Sequence, residues 1–387
     1  MQQNPELVGE HINHFDERPS GIASNILFNH CINCTYMNLL GRRIQAYRII
    51  EMPFCALIAM VVLCTGCTNR NPGIKSEVTD IWQSMPPLPV GNAGFIAGFV
   101  GDRLLIVGGT NWAGGSKYWL KDVWDFPPDS TQWHVLAPLP SPIAYAAFGH
   151  NDDGLYWLGG SDGTAASDSL YRVTTDAKIE HISDTGYKVV YAGGTADDFA
   201  LYVVAGSESV TDLSQLTDRF LRASLATGEV SRLPSYPGGA VMLPAVVCAG
   251  NEVFVFGGGR YDKTSGMVVN TTDAYAYSLQ HSTWRKLTPL PYARRGMAAC
   301  QFDRQTILIG GGFGGLNNHP QEGFTNDALL YRLSDNRYLP APDLPYAAMG
   351  QTLIHHHGAL YILGGEDRPR HRTSVFYINR IVDGHSP

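Results

Sequence analysis

The sequence predicts an all-β fold, a six-bladed β-propeller, on three observations. A short apolar strand ending in small residues recurs six times: Leu104–Gly109, Leu155–Gly160, Leu201–Gly206, Val253–Gly258, Thr306–Gly311 and Leu360–Gly365. Successive copies start 46–54 residues apart, a period that marks repeated sheet units rather than separate domains. Glycine is abundant, with 42 residues, and charged residues make up only 16% of the chain, against the usual ~25%. Helical periodicity is scarce. Finally, the last repeat lacks a fourth strand, while an orphan strand, Ile81-Trp82-Gln83-Ser84-Met85-Pro86-Pro87-Leu88-Pro89, stands near the start of the repeats. Pairing the two closes the ring without a free sheet edge, so the last blade is completed by the N-terminal strand.

Each full repeat reads as four strands, a to d. Strand a is apolar, as in Ala93–Val100, and strand b ends in the glycines. Strand c carries an Asp and an aromatic four residues on: Asp122 and Phe126, Asp273 and Tyr277, Asp327 and Tyr331. Strand d carries a second aromatic seven residues later, at Trp133, Trp284 and Tyr338. It stops at Leu139-Pro140, Tyr236-Pro237, Leu290-Pro291 and Leu344-Pro345, because proline cannot donate to the ladder. The second and third repeats are degenerate in strands c and d. Four antiparallel strands put the short a–b and c–d turns at one end of the ring. The longer b–c loops, 110–120, 259–271, 312–325 and 366–372, lie with the d–a loops at the other. Function concentrates in loops on a rigid scaffold, so that end is the candidate face.

Residues 78–387 form the propeller and 68–77 a linker; residues 1–67 read differently. The basic residues Arg42, Arg43 and Arg48 precede an apolar run at 54–64, too short for a comfortable membrane span, and Thr65-Gly66-Cys67 follows. This is a secretory signal whose end resembles a bacterial lipobox. It implies an exported, cell-envelope protein, periplasmic or outer-membrane, with Cys67 lipidated as the mature N-terminus. Plain secretion and an uncleaved anchor remain as alternatives. Residues 1–36 fit no part of this scheme, and translation is expected to begin at Met37 or Met52. Cys31-x-x-Cys34 is then no redox or zinc site. Cys248 and Cys300 occupy equivalent positions in adjacent repeats and read as small buried hydrophobes rather than a disulfide. A net charge of −7 argues against a nucleic-acid partner.

The loop Gly365-Glu366-Asp367-Arg368-Pro369-Arg370-His371-Arg372-Thr373 carries the sharpest chemistry. One carboxylate follows an inner strand directly, and three arginines stand behind it. A partly desolvated glutamate can transfer protons, and a guanidinium fork matches a carboxylate. Weaker candidates for ligand contact are Asn92, Asn111, Trp112, Arg260 and Arg295, the last favoured as a second contact to a carboxylate or hydroxyl. His355-His356-His357 is expected to bind no metal. It falls on the opposite face, and alternation sends its middle side chain away from the other two.

The glycine strands resemble kelch repeats, and the loop pattern Gly-Glu-x-x-Pro-x-x-Arg-Thr resembles that of the kelch-repeat N-acetylneuraminate epimerases, or sialic acid mutarotases. The segments Ala93–Gly98 and Leu104–Gly109 resemble the family's next blade, here moved to the opposite end of the chain as in its cyclically permuted branch. The resemblance implies catalytic roles for Glu366 and Arg372. It also implies a small acidic sugar as substrate and interconversion of its α and β anomers without metal or other cofactor. In that reading Glu366 is the general acid/base and Arg372 holds the sugar carboxylate, assisted by Arg295. The alternative is a non-catalytic kelch module that binds glycan or an envelope protein. Membrane contact is expected only through the lipid anchor.

Overall fold

A computed structural model describes residues 81–316 and 319–381, all within one compact unit. The signal segment, Cys67, the linker and the proposed start sites lie outside the described residues.

Six antiparallel four-stranded sheets follow one another along the chain. Blade I comprises Ile96–Val100, Arg103–Val107, Asp122–Phe126 and His134–Pro138. Blade II comprises Ala147–Asn151, Gly154–Leu158, Ser169–Thr174 and Ile179–Asp184, and blade III Gly193–Ala196, Ala200–Val204, Phe220–Ser224 and Val230–Leu233. Blade IV comprises Ala245–Ala249, Glu252–Phe256, Ala274–Ser278 and Thr283–Lys286, and blade V Ala298–Gln301, Thr306–Gly310, Ala328–Arg332 and Arg337–Pro340. In blade VI, Thr352–His356, Ala359–Leu363 and Phe376–Arg380 come from the end of the chain, and the outer strand is Gln83–Ser84. Gln83 pairs with Ile378 and Ser84 with Tyr377. Of the orphan segment, only these two residues form strand; Pro86, Pro87 and Pro89 bar its extension.

The blades pack face to face, so strand b is buried on both sides and reads as an unbroken apolar run. Leu105, Val107 and Val123 of blade I meet Leu155 and Trp157 of blade II. The same kind of core fills each seam, including the last, where Phe99 and Leu104 of blade I meet Leu363 and Phe376 of blade VI. The seven-residue aromatic spacing now has a cause. It places Tyr277 opposite Trp284 and Tyr331 opposite Tyr338 across the c–d hairpin, with ring centres 5.1 and 5.2 Å apart. Those outer aromatics also reach the preceding blade: Trp133 donates to the Pro86 carbonyl at 3.2 Å, Trp284 to Pro234 at 2.8 Å and Tyr338 to Thr288 at 2.9 Å.

The glycine pairs join the ring. The N–H of the second residue of each pair donates to a carbonyl at the start of the next blade: Gly109 to Ile143, Gly160 to Val189, Gly206 to Val241, Gly258 to Arg294, Gly312 to Ala348 and Gly365 to Asn92, all at 2.7–2.9 Å. Such an approach leaves no room for a side chain: a Cβ on Gly109, at φ +105°, would stand 1.8 Å from Asn92 Oδ1. In blade V the left-handed pair is Gly311-Gly312, not Gly310-Gly311, because Gly310 still belongs to the strand. In blade III, Ala205 takes the first position at φ +62°.

Cys248 and Cys300 are free thiols lining the central channel, and burial raises both to about 12. The histidine run departs from the expected alternation. His355 turns into the channel lining and His356 turns away from it onto Phe99. His357 is in the turn, at φ +47°, which keeps it on the same side as His356, their ring centres 4.0 Å apart.

Candidate active site at the channel mouth

Two concentric rings of residues build the mouth. The residue after each glycine pair forms a backbone bridge with the d–a loop: Thr110 with Ala93, Ser161 with Ala144, Ser207 with Val190, Gly259 with Met242, Phe313 with Arg295 and Glu366 with Met349. Glu366 alone in this ring carries charge. Next inward stand Gly94, Tyr145, Tyr191, Leu243, Gly296 and Gly350, all left-handed, with φ between +50° and +69°. Their backbones link blade to blade: the N–H groups of 145, 191, 243, 296 and 350 donate to the carbonyls of 94, 145, 191, 243 and 296 at 2.7–3.0 Å. Where that position is not glycine it carries strain, of the kind that gathers at functional sites. Tyr145, Tyr191 and Leu243 bring side chains to the mouth at that cost.

A cavity of about 70 Å³ lies here, lined by Trp112, Lys117, Tyr145, Tyr191, Glu366 and Arg372 among others. Gly94, Tyr145, Leu243 and Gly350 also line the 330 Å³ central channel. Glu366 and Arg372 are cross-strand partners on a short hairpin, Glu366–Arg368 with His371–Arg372, so the six-residue spacing sets them side by side. Both are almost fully buried, and Arg372 Nη1 lies 2.6 Å from Glu366 Oε2. Arg372 Nε reaches Thr110 Oγ1 at 3.5 Å, and that hydroxyl is 3.2 Å from the Tyr145 hydroxyl. Glu366, Arg372, Thr110 and Tyr145 thus form one polar chain across blades VI, I and II.

The Lys117 ammonium stands 4.7 Å from the centre of the Tyr145 ring and 5.1 Å from that of Trp119. No carboxylate pairs with it among the described residues. Burial by itself would raise the Tyr145 phenol, but the charges of Lys117 and Arg372 outweigh it and bring the group down to about 8. The mouth therefore combines a neutralised ion pair, an accessible cation and a phenol brought down to about 8, a set suited to an anionic ligand and to proton transfer.

Of the residues singled out in the sequence, Glu366, Arg372 and Trp112 come together here. Arg370 stacks over Trp112 at 5.7 Å. Asn92 does not line the cavity. It is a buried staple whose Nδ2 donates to the Gly108 carbonyl at 2.8 Å, and its own carbonyl receives Gly365. Asn111 accepts from the Trp112 N–H at 2.8 Å. Arg260 is exposed on the hairpin of blade IV, bound to Asp273 and to the Gly238 carbonyl. Arg295 is buried and turned towards blade IV. It donates to Asn270 Oδ1 at 2.7 Å and stacks on Phe313 at 4.8 Å. It does not line the cavity that holds Glu366 and Arg372. Sequence reasoning missed Lys117, Thr110, Tyr145 and Tyr191. The signal for the tyrosines was present: superposing the repeats sets Tyr145 and Tyr191 on Gly94, Gly296 and Gly350, and a bulky residue at a glycine position marks a strained site.

A Kelch motif model matches residues 243–291. Over 175 residues the chain is 26% identical to an N-acetylneuraminate epimerase of Salmonella enteritidis PT4, an alignment covering 38% of this chain and 45% of the relative. The epimerase of Salmonella typhimurium gives 26% identity over 177 residues, covering 38% and 46%. An F-box/kelch-repeat protein of Arabidopsis thaliana is 28% identical over 146 residues, covering 36% and 38%. The chain spans less than half the length of these curated relatives. A solved structure of YjhT superposes with a TM-score of 0.61 at 15% identity, covering 76% of this chain and 95% of that one, which shows a shared fold.

Proposed function

This chain is a kelch-repeat β-propeller similar in sequence to the N-acetylneuraminate epimerases, and from that premise we propose that it interconverts the α and β anomers of N-acetylneuraminate or a closely similar acidic sugar. One observation carries the reading: the buried Glu366–Arg372 pair opens onto a cavity that also holds the Tyr145 phenol and the Lys117 ammonium.

In the forward step the Glu366 carboxylate takes the proton of the anomeric hydroxyl, while the Tyr145 phenol gives its proton to the ring oxygen. The bond between the anomeric carbon and the ring oxygen breaks, and an open-chain carbonyl forms. After rotation about the adjacent carbon–carbon bond, the freed hydroxyl attacks the opposite face of that carbonyl. Its proton returns to the Tyr145 phenolate, and Glu366 returns its own to the new anomeric hydroxyl. No electrons are exchanged with a cofactor. Lys117 meets the sugar carboxylate, because Arg372 is already neutralised by Glu366 and Arg295 is held on Asn270. Arg372 orients Glu366 through their ion pair. Trp112 offers an apolar face to the sugar ring.

The test follows the equilibration of the pure α anomer by NMR. The wild type accelerates it and Glu366→Gln does not. A wild type that binds the sugar without accelerating equilibration is a glycan-binding propeller instead. We also propose export with Cys67 as the lipidated N-terminus; the intact mass of the mature protein then equals residues 67–387 plus the lipid. A mature protein without that lipid mass excludes the anchor.

A further inference from the structure

The opposite end of the ring carries a second convergence of chemistry, independent of the mouth. We propose that Asp102, His356 and His357 form a divalent-metal site, with zinc as its cation, across the seam between blades VI and I. Asp102 belongs to the a–b turn of blade I; His356 ends strand a of blade VI and His357 opens the turn after it, 255 residues further along the chain than Asp102. His357 Nε2 lies 3.1 Å from Asp102 Oδ1 and His356 Nε2 lies 3.8 Å from the same oxygen. All three donor atoms lie within 4.8 Å of one another. Zinc held at ~2.0–2.1 Å by two imidazoles and a carboxylate needs donors about 3.3 Å apart, so small side-chain rotations complete the set and leave a fourth position for water.

Three features favour a ligand over a chance meeting. His356 Nε2 is buried without a hydrogen-bond partner, an unfavourable state that a cation would relieve. Its ring is fixed by stacking on Phe99, centres 3.9 Å apart and planes 10° from parallel. His357 occupies a left-handed position ahead of Gly358, at φ +47° and +71°, where a tight turn ordinarily takes asparagine or glycine. That turn aims the imidazole at the neighbouring blade. Two imidazoles with one carboxylate form a donor set that suits zinc, nickel or copper rather than calcium or magnesium. The metal would staple blade I to the blade in which the first and last described strands pair.

The experiment uses the full chain without an affinity tag, stripped with chelator and titrated with zinc chloride by calorimetry, with the melting temperature followed in parallel. One saturable site and a higher melting temperature are expected. Asp102→Asn and His357→Ala, both at exposed positions, should each weaken binding at least tenfold and abolish the thermal shift, and His355→Ala should leave both unchanged. Asp102→Asn should equilibrate anomers as the wild type does, which separates this site from the mouth. Absence of saturable binding, or binding that Asp102→Asn and His357→Ala leave intact, overturns the proposal.

Discussion

Glu366 and Arg372 share one buried interaction, so the choice of substitution decides what is measured. Arg372→Ala takes the guanidinium away from a buried carboxylate, and should cost about 3–5 kcal/mol in stability, read as a lower melting temperature. Glu366→Gln keeps an acceptor for the guanidinium and removes only the base. Anomer equilibration should fall by roughly 10²–10⁴. Tyr145 supplies the pH dependence. Its phenol must be protonated to act as acid, so wild-type activity should decline as pH rises through about 8, and Tyr145→Phe should be slow and lack that limb. Lys117→Met should raise KM about ten- to a hundredfold with little change in kcat, since its contact with the sugar carboxylate exists before and during the reaction. His150, lining the channel, is pushed down to about 4 by burial first and by His356 second. Its folded-state value lies below the ordinary 6.5, so the stability it lends is full above 6.5 and is lost as pH falls towards 4. The fall in melting temperature over that window should be shallower in His150→Gln.

At the level of elements, the recurring strand is a joint rather than a marker. The pair turns the chain out of strand b, and its second residue, glycine in every blade, presents an N–H to the next blade at an approach that leaves no room for a side chain. Gly109→Ala combines a disfavoured φ with a clash against Asn92, and should cost roughly 3 kcal/mol in denaturant unfolding. These joints were legible from the sequence because close backbone approach demands glycine and leaves it in every repeat. The hairpin that pairs Glu366 with Arg372 was legible in part. The spacing was visible, and the short strands that turn it into a cross-strand pair were not. Arg295 shows the opposite case. Its neighbours in sequence suggested the mouth, but the hairpin of blade IV supplies Asn270, and that partner draws the guanidinium away.

For the whole molecule, the first and last strands of the described residues pair in blade VI. Deleting residues 78–89 removes Gln83 and Ser84 from the edge of that sheet, bares the Phe376–Arg380 strand, and uncovers the seam around Leu88. The deletion variant should fail to yield a soluble folded monomer, as judged by circular dichroism and gel filtration. An unchanged melting temperature would contradict that role. The sequence by itself determined the repeat, the strand order within a blade, the end of the ring that carries the long loops and the Glu-x5-Arg spacing, because each is written in local periodicity and in backbone demands that only glycine or proline meets. Tertiary structure alone decided which side chains meet at the mouth. Lys117 and Tyr145 lie in different blades from Glu366, and Asp102 stands far along the chain from His356 and His357. Such pairings depend on how the blades sit in the ring, and no interval within one repeat records them.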